Sequence, residues 1–345
     1  MVRRRQKSRK KSGAGAAFAL VLLLLVVAAG AAVAWLLLVP YGPQSETFVE
    51  LPPGSSTVQI ATQLADAGVI RNQYAFVLLR WIKRGKLKAG EYRFEGDATL
   101  VEVYARIARG DVYTKAVTIP EGASIFEVAA RLEQAGLGDR QIFLNAAVSQ
   151  KGLVADLDPK ARSLEGFLFP DTYLFPHKTT PAQIYATMVQ RFRAKAEQLG
   201  LSGDIHKVVT MASLVERETA VDAERPLVAS VFENRLAKKI PLGTDPSVIY
   251  GLELAGKWRG AIYKSDLKLD TPYNTYLHAG LPPGPVANPG VKSLRAAMEP
   301  AHTDYLYFVA AGANAQGASH FAATLDEHNR NVADYRHAVK QAGGR

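Results

Sequence analysis

One stretch of the chain offers acid–base chemistry through its spacing alone: Lys207-Val-Val-Thr-Met-Ala-Ser-Leu-Val-Glu-Arg-Glu-Thr219. At about 100° per helical residue, Val208, Val209, Met211, Ala212 and Val215 share an apolar arc, and Glu216 projects between Val209 and Ala212 on it. Glu218 falls on nearly the opposite side, near Lys207. A carboxyl on an apolar face is disfavoured as an anion, so Glu216 is expected to have a raised pKa and to hold a proton near neutrality. A general acid acting on a glycosidic oxygen needs both properties. The competing role is a glutamate at the core margin, paired with an arginine such as Arg217 or Arg225.

Three further segments supply groups suited to a polyhydroxylated ligand. Leu164-Glu-Gly-Phe-Leu-Phe-Pro-Asp-Thr-Tyr173 carries aromatic surface with polar tips, fit for stacking on sugar faces or for packing. Leu242-Gly-Thr-Asp-Pro-Ser-Val-Ile-Tyr250 places Thr244 and Asp245 at a turn before a short helix, where Asp245 could equally be a helix cap. Thr271-Pro-Tyr-Asn-Thr-Tyr276, followed by Gly280-Leu-Pro-Pro-Gly284 and Asn288-Pro-Gly290, reads as a rigid loop presenting Tyr273, Asn274 and Tyr276. Other chemistries lack support. There is no H-E-x-x-H, G-x-S-x-G or G-x-x-x-x-G-K-[ST] run, and His320 and His328 read as scattered polar histidines and not as metal ligands. With no cysteine, disulfides, thiolate metal sites and a lipid-modified cysteine are excluded. No metal or organic cofactor is implied.

The elements that must position these groups follow from periodicity. After residue 137, helices are expected over 139–149, 181–199, 204–219, 224–239, 293–299 and 326–341, with a strand over 305–310 and long turn-rich loops between. This is a mixed α+β domain. Upstream, Val49–Gly68 resembles Val117–Gly136, with eight of twenty positions identical, Pro52/Pro120, Gly54/Gly122, Ser56/Ser124 and Gly68/Gly136 among them. Each copy reads as strand, Pro/Gly turn and capped helix. The first continues through a helix over 73–84, a strand over 90–94 and a helix over 99–109, a compact αβ unit that resembles the LysM-like modules of cell-wall proteins. The alternative is a linker domain with no carbohydrate affinity of its own.

Charge and hydropathy explain the N-terminus. The 345 residues carry a formal net charge of +10, but Arg3, Arg4, Arg5, Lys7, Arg9, Lys10 and Lys11 precede every acidic residue, and from residue 41 onward the excess is only +3. Nucleic acid is therefore not the implied partner. Ala14–Val39 is an uncharged run of 26 residues, and a helix of that length spans roughly 39 Å, more than the ~30 Å hydrocarbon layer. Basic residues before it place the N-terminus in the cytoplasm, with Trp35 and Tyr41 as interfacial anchors on the far side. A cleaved signal peptide is the rival, since Ala29-Gly30-Ala31 and Ala32-Val33-Ala34 satisfy the small-residue rule, but the apolar run continues through Val39.

Taken in order, LEGFLFPDTY, ASLVERET, ERPLVASVFENRL, TDPSVIYG, TPYNTY, GLPPGPVANPG, SLRAAMEPA with YLYFVA, and HFAATLDEHN resemble the endolytic murein transglycosylases, the MltG or YceG-like family, across nearly all of the exported part. Gly243 departs from the glutamine that many members look to have, which bears on fine specificity. The resemblance implies a basic cytoplasmic tail over 1–13, a transmembrane helix over 14–39, a LysM-like module over 47–115 and a YceG-like transglycosylase domain over 116–345. It implies cleavage of the β-1,4 bond between N-acetylmuramic acid and N-acetylglucosamine inside peptidoglycan glycan strands, leaving 1,6-anhydro ends. Glu216 would be the acid/base, with Thr244, Asp245, Tyr273, Asn274 and Tyr276 positioning substrate. It further implies residence in the cell (inner) membrane with the catalytic domain outside the cytoplasm, and partnership with peptidoglycan synthases, the penicillin-binding proteins. Two alternatives stand beside it: a muramidase that uses water with Asp245 as second carboxylate, and a non-catalytic wall-binding scaffold.

Overall fold

The computed structural model describes residues 13–312 and 317–342. The seven N-terminal basic residues, and all of the expected tail over 1–13 but Gly13, lie outside the described residues. The chain divides into two compact units, with the boundary between Thr114 and Lys115.

The first unit begins with α1 (Gly13–Leu38), whose span Ala17–Leu38 has a mean hydropathy of 2.8, long and apolar enough to cross a membrane. Its side chains from Phe18 to Val27 are exposed, whereas Leu36 and Leu37 near its end pack against the unit's core. Then come β1 (Thr47–Leu51), α2 (Thr57–Asp66), α3 (Gln73–Lys83), β2 (Gly90–Phe94) and α4 (Leu100–Arg109). The two strands pair antiparallel with Val49 opposite Tyr92, so Val49, Leu51, Tyr92 and Phe94 face one core with Leu64, Phe76, Leu79, Val103 and Ile107. Burying apolar groups from two strands and three helices gives this unit its own core.

The second unit runs β3 (Lys115–Thr118), α5 (Ile125–Gln134), α6 (Arg140–Ser149), β4 (Thr172–Phe175), α7 (Pro181–Leu199), α8 (Ile205–Glu218), α9 (Arg225–Ala237), α10 (Asp245–Leu254), α11 (Val291–Met298), β5 (Tyr307–Ala310), β6 (Ser319–Ala322) and α12 (Leu325–Ala342). Its strands form two antiparallel pairs, β3 with β4 and β5 with β6, and the helices enclose the core. The architecture is mixed α+β with one N-terminal apolar helix. Observed limits fall within one or two residues of the expected ones, because the boundaries are set by local caps: Thr180 with Gln183 opens α7, Asp204 opens α8, and Gly200 in the left-handed region closes α7.

The internal repeat is a repeat of local structure. Ser56 and Ser124 each cap a helix through a box completed by Gln59 and Glu127. The preceding turns need Gly54 at φ 83° and Gly122 at φ 76°, a region L-residues avoid.

Of the two roles open to the first aromatic segment, stacking on sugars or packing, the fold takes packing. LEGFLFPDTY is not an aromatic surface for sugars: it runs into β4, and Phe167, Leu168, Phe169 and Tyr173 are buried in the core, where β4's alternation turns Tyr173 and Phe175 inward. Packing takes those rings because apolar burial outweighs what an exposed stacking face would gain.

Candidate active site

Helix α8 carries the candidate acid. Asp204 caps its first turn by accepting the Lys207 N–H at 3.0 Å, and residues 209 to 215 are buried on every side, against α9, α10 and α11. A helix buried all round brings its polar residues to the surface only at its ends. Its last turn holds Glu216 and Glu218, and they meet different surroundings.

Glu216 is not the isolated carboxyl expected on an apolar arc. Its Oε1 accepts Arg225 Nη1 at 2.8 Å and its Oε2 accepts the Gly290 N–H at 2.9 Å, with both charged side chains at 6% exposure or less. Arg225 also donates to Ser293 Oγ at 2.7 Å and to Asp222 at 3.3 Å, and Asp222 pairs with Lys292. Both Glu216 oxygens thus work as acceptors that join α8 to the starts of α9 and α11. A Cβ at Gly290 would meet the carboxyl end of the Glu121 side chain, which would have to swing aside; burial and the nearby Glu216 raise the pKa of that carboxyl.

Glu218 takes the other path. It ends α8, where the partial negative charge of the helix C-terminus disfavours a carboxylate. Its Oε1 accepts the Thr244 hydroxyl. Burial pushes its carboxyl above the usual range and nearby Asp245 adds to this, while the Thr244 hydroxyl and Arg235 pull in the other direction. Lys207, the neighbour suggested by the helical wheel, pairs instead with Glu233 at 2.9 Å, three turns away along the axis.

The segment Gly243–Asp245 closes over Glu218. Thr244 is the N-cap of α10, but its hydroxyl points to Glu218 and makes no cap bond; Asp245 is the first helical residue and not the cap. Thr244 N–H donates to Thr275 Oγ1 at 3.0 Å, and the exposed Tyr276 hydroxyl donates to Asp245 Oδ1 at 2.8 Å. Gly243 sits at φ 57°, and a Cβ there would lie 3.4 Å from the Tyr276 ring. Arg235 fixes the same turn from α9, donating to Leu242 O at 2.7 Å and Leu306 O at 2.6 Å. Glu218, Thr244, Asp245 and Tyr276 therefore converge, with Asp245 and Tyr276 at the exposed rim.

Tyr273 and Asn274 do not join them. Tyr273 is 7% exposed with its ring edge-on to Tyr250 at 4.9 Å, and Asn274, fully buried, donates to Leu267 O and Leu269 O and accepts the Tyr276 N–H. An amide this deeply buried, with both N–H groups given to the backbone, shapes a loop and is out of a ligand's reach.

Sequence reasoning also missed a buried hub. Glu165 Oε2 accepts the Ile125 N–H at 2.9 Å and its Oε1 accepts Asn288 Nδ2 at 3.0 Å; Asn288 in turn donates to Ala123 O and accepts the Leu168 N–H. Burial pushes Glu165 up to about 8. Asn288 thereby ties the GLPPGPVANPG loop to LEGFLFPDTY and to the Pro120-Glu121-Gly122 turn, two residues before Gly290 reaches Glu216. The only hint in sequence was the co-occurrence of these runs. A separate cavity of about 590 Å³, between α8, α9 and the segment after α11, is lined by Lys207, Met211, Glu233, Asn234, Met298 and His302 and includes none of the candidate residues.

With this geometry in hand, comparisons with known proteins are informative. Residues 49–334 match the model of the YceG-like family. The chain is 34% identical over 327 residues to the endolytic murein transglycosylase of Bacillus subtilis, covering 85% of this chain and 86% of that one. It is 28% identical to the endolytic murein transglycosylase of Streptococcus pneumoniae strain R6, covering 86% of this chain and 60% of that longer one. A crystal structure of a YceG-like protein from Listeria monocytogenes superposes with a TM-score of 0.54 at 32% identity, over 83% of this chain and 99% of that one. Family model, relatives and fold agree, and this chain belongs to the YceG-like family.

Proposed function

We propose that this chain is a membrane-anchored endolytic murein transglycosylase that cuts the β-1,4 bond between N-acetylmuramic acid and N-acetylglucosamine within peptidoglycan strands, with Glu218 as acid/base. The names of its relatives supply the reaction class. The observation that carries the choice of residue is the contrast on α8: both Glu216 oxygens are engaged by Arg225 and Gly290, whereas Glu218 is pushed toward its protonated form beside an exposed rim.

In this scheme protonated Glu218 donates to the glycosidic oxygen as the bond to C1 breaks and positive character develops at C1. The carboxylate so formed takes the proton of the sugar's own C6 hydroxyl, whose oxygen bonds to C1. One proton leaves Glu218 and one returns, and no water enters. Thr244 holds the carboxyl through its hydroxyl, and Asp245 with Tyr276 form the rim against which the glycan lies. Tyr273 and Asn274 support that rim from behind.

One observation favours a second reading: Asp245 lies close enough to Glu218 to raise its pKa, so it is a candidate base for a hydrolytic muramidase. Mass spectrometry of glycan cut by the full chain in detergent separates the two, since transglycosylation leaves anhydro ends and hydrolysis leaves reducing ends. A scaffold without activity would leave neither.

The remaining parts of the proposal rest on sequence. The N-terminal cations orient the chain with its N-terminus in the cytoplasm and the second unit outside. The first unit is read as LysM-like, supported by two helices between paired antiparallel strands β1 and β2. Partnership with penicillin-binding proteins, and a role in ending strand elongation, come from the family resemblance, and in vivo crosslinking is their test.

A further inference from the structure

We propose that the exposed face of α3 is a membrane-surface contact, which lays the first unit against anionic lipid headgroups beside the point where α1 leaves the bilayer. The proposal rests on the reading of α1 as a membrane anchor. Helix α3 turns Ala75, Phe76 and Leu79 to the core, but its other face is not polar. Tyr74 is 74% exposed, Trp81 70%, Ile82 56% and Leu78 38%, and at spacings of four, seven and eight residues they fall on one arc. Single exposed apolar residues are ordinary on a protein surface. Four on one arc, two of them aromatic, match the buried face of an interfacial helix.

Charge gives the partner its chemistry. From Ala67 to Gly90 there is no acidic residue, while Arg71, Arg80, Lys83, Arg84, Lys86 and Lys88 are all basic, more positive charge than the whole chain from residue 41 holds in excess. Lys83, Arg84 and Lys86 are exposed and make no ion pair within the described residues. A cationic rim around an apolar stripe suits phosphate headgroups over acyl chains.

Position gives the partner its source. The Arg71 guanidinium lies 4.5 Å from the Trp35 ring centre and 4.8 Å from that of Tyr41, and it donates to Pro40 O at 2.9 Å. Trp35 is in the last turns of α1 and Tyr41 follows it, so this sandwich sits where aromatic side chains mark a membrane boundary. Arg71 directly precedes Asn72, the N-cap of α3. The stripe therefore starts at the membrane surface, and lipid is the partner that is always present there.

The chain has no cysteine, so spin labels can be placed singly on Ile82→Cys, on Leu24→Cys in α1 and on Val58→Cys in α2, with the full chain in nanodiscs containing phosphatidylglycerol. Labels at 24 and 82 are expected to collide with oxygen in preference to an aqueous nickel chelate, and the label at 58 to do the reverse. Replacing phosphatidylglycerol by phosphatidylcholine, or adding Lys83→Glu, Arg84→Glu and Lys86→Glu, is expected to return the label at 82 to the aqueous regime. A label at 82 in water while that at 24 is in lipid overturns the proposal and leaves the face for a protein. A label at 82 immersed whatever the lipid charge overturns the role of headgroups. A label at 24 in water refutes the anchor itself.

Discussion

The Glu216 carboxylate and the Arg225 guanidinium lie 2.8 Å apart, both almost wholly buried, and join the end of α8 to the start of α9. A pair of this kind is a structural commitment: removing one partner strands the other charge and costs about 3–5 kcal/mol. Glu216→Gln is therefore expected to lower Tm sharply, while its folded fraction still cuts glycan. Glu218→Gln is expected to keep Tm close to wild type and to lower cleavage by about 10²–10⁴. Denaturation curves beside the yield of anhydro ends check both. Loss of activity at unchanged Tm in Glu216→Gln would return the acid role to Glu216.

Much of the fold was legible because caps and turns are local. Ser124 with Glu127, Thr180 with Gln183 and the glycines at 122 and 200 set boundaries that sequence alone reveals. The site was less so. A helical wheel gives the direction of Glu216 and Glu218 but not the residue that meets each, and Arg225, Gly290 and Thr244 come from segments 9, 74 and 26 residues away. For the same reason Tyr273 and Asn274, adjacent in sequence to exposed Tyr276, turned out to be buried.

The pH profile of cleavage follows from Glu218. Its carboxyl is raised by burial and by Asp245, and the acid step needs the protonated form. Activity is expected to fall as pH rises through that raised pKa. Asp245→Asn removes a neighbouring negative charge, so the falling limb should move to lower pH. A limb that stays in place would show that Glu218 does not control it.

Asp245→Asn also decides the chemistry. If the C6 hydroxyl is the nucleophile, the variant keeps anhydro products and loses no more than about tenfold in rate, as befits a contact at the rim. If Asp245 activates water, the products change or vanish. Tyr276→Phe, which deletes the hydroxyl that donates to Asp245, is expected to raise KM more than it lowers kcat.

Gly243 occupies the left-handed region at φ 57°, against the Tyr276 ring. Gly243→Ala is expected to cost about 1–2 kcal/mol in stability from backbone strain. Its Cβ, 3.4 Å from the ring, makes an ordinary van der Waals contact that leaves Tyr276 in place, so KM should stay close to that of wild type. A raised KM would show that the strained turn moves and carries the Tyr276 rim with it.

Glu165 makes stability itself depend on pH. Its carboxyl is held at about 8, and that of Glu253 at about 7, against 4.5 for a free glutamate, chiefly through burial in both cases. The folded state then binds more protons than the unfolded state between these values, so stability must fall as pH rises from about 5 to 8. For Glu165, only 3% exposed, the loss is up to roughly 5 kcal/mol. Glu165→Gln carries no charge, so it should flatten this slope. It also turns one oxygen that now accepts from Ile125 or Asn288 into a donor, and an opposed buried donor costs about 1–3 kcal/mol at every pH. The expected result is a variant with a lower Tm at pH 5 but a smaller fall in Tm between pH 5 and 8 than wild type. A slope equal to that of wild type would mean that Glu165 is ionised in the core, with Asn288 Nδ2 and the Ile125 N–H carrying the anion.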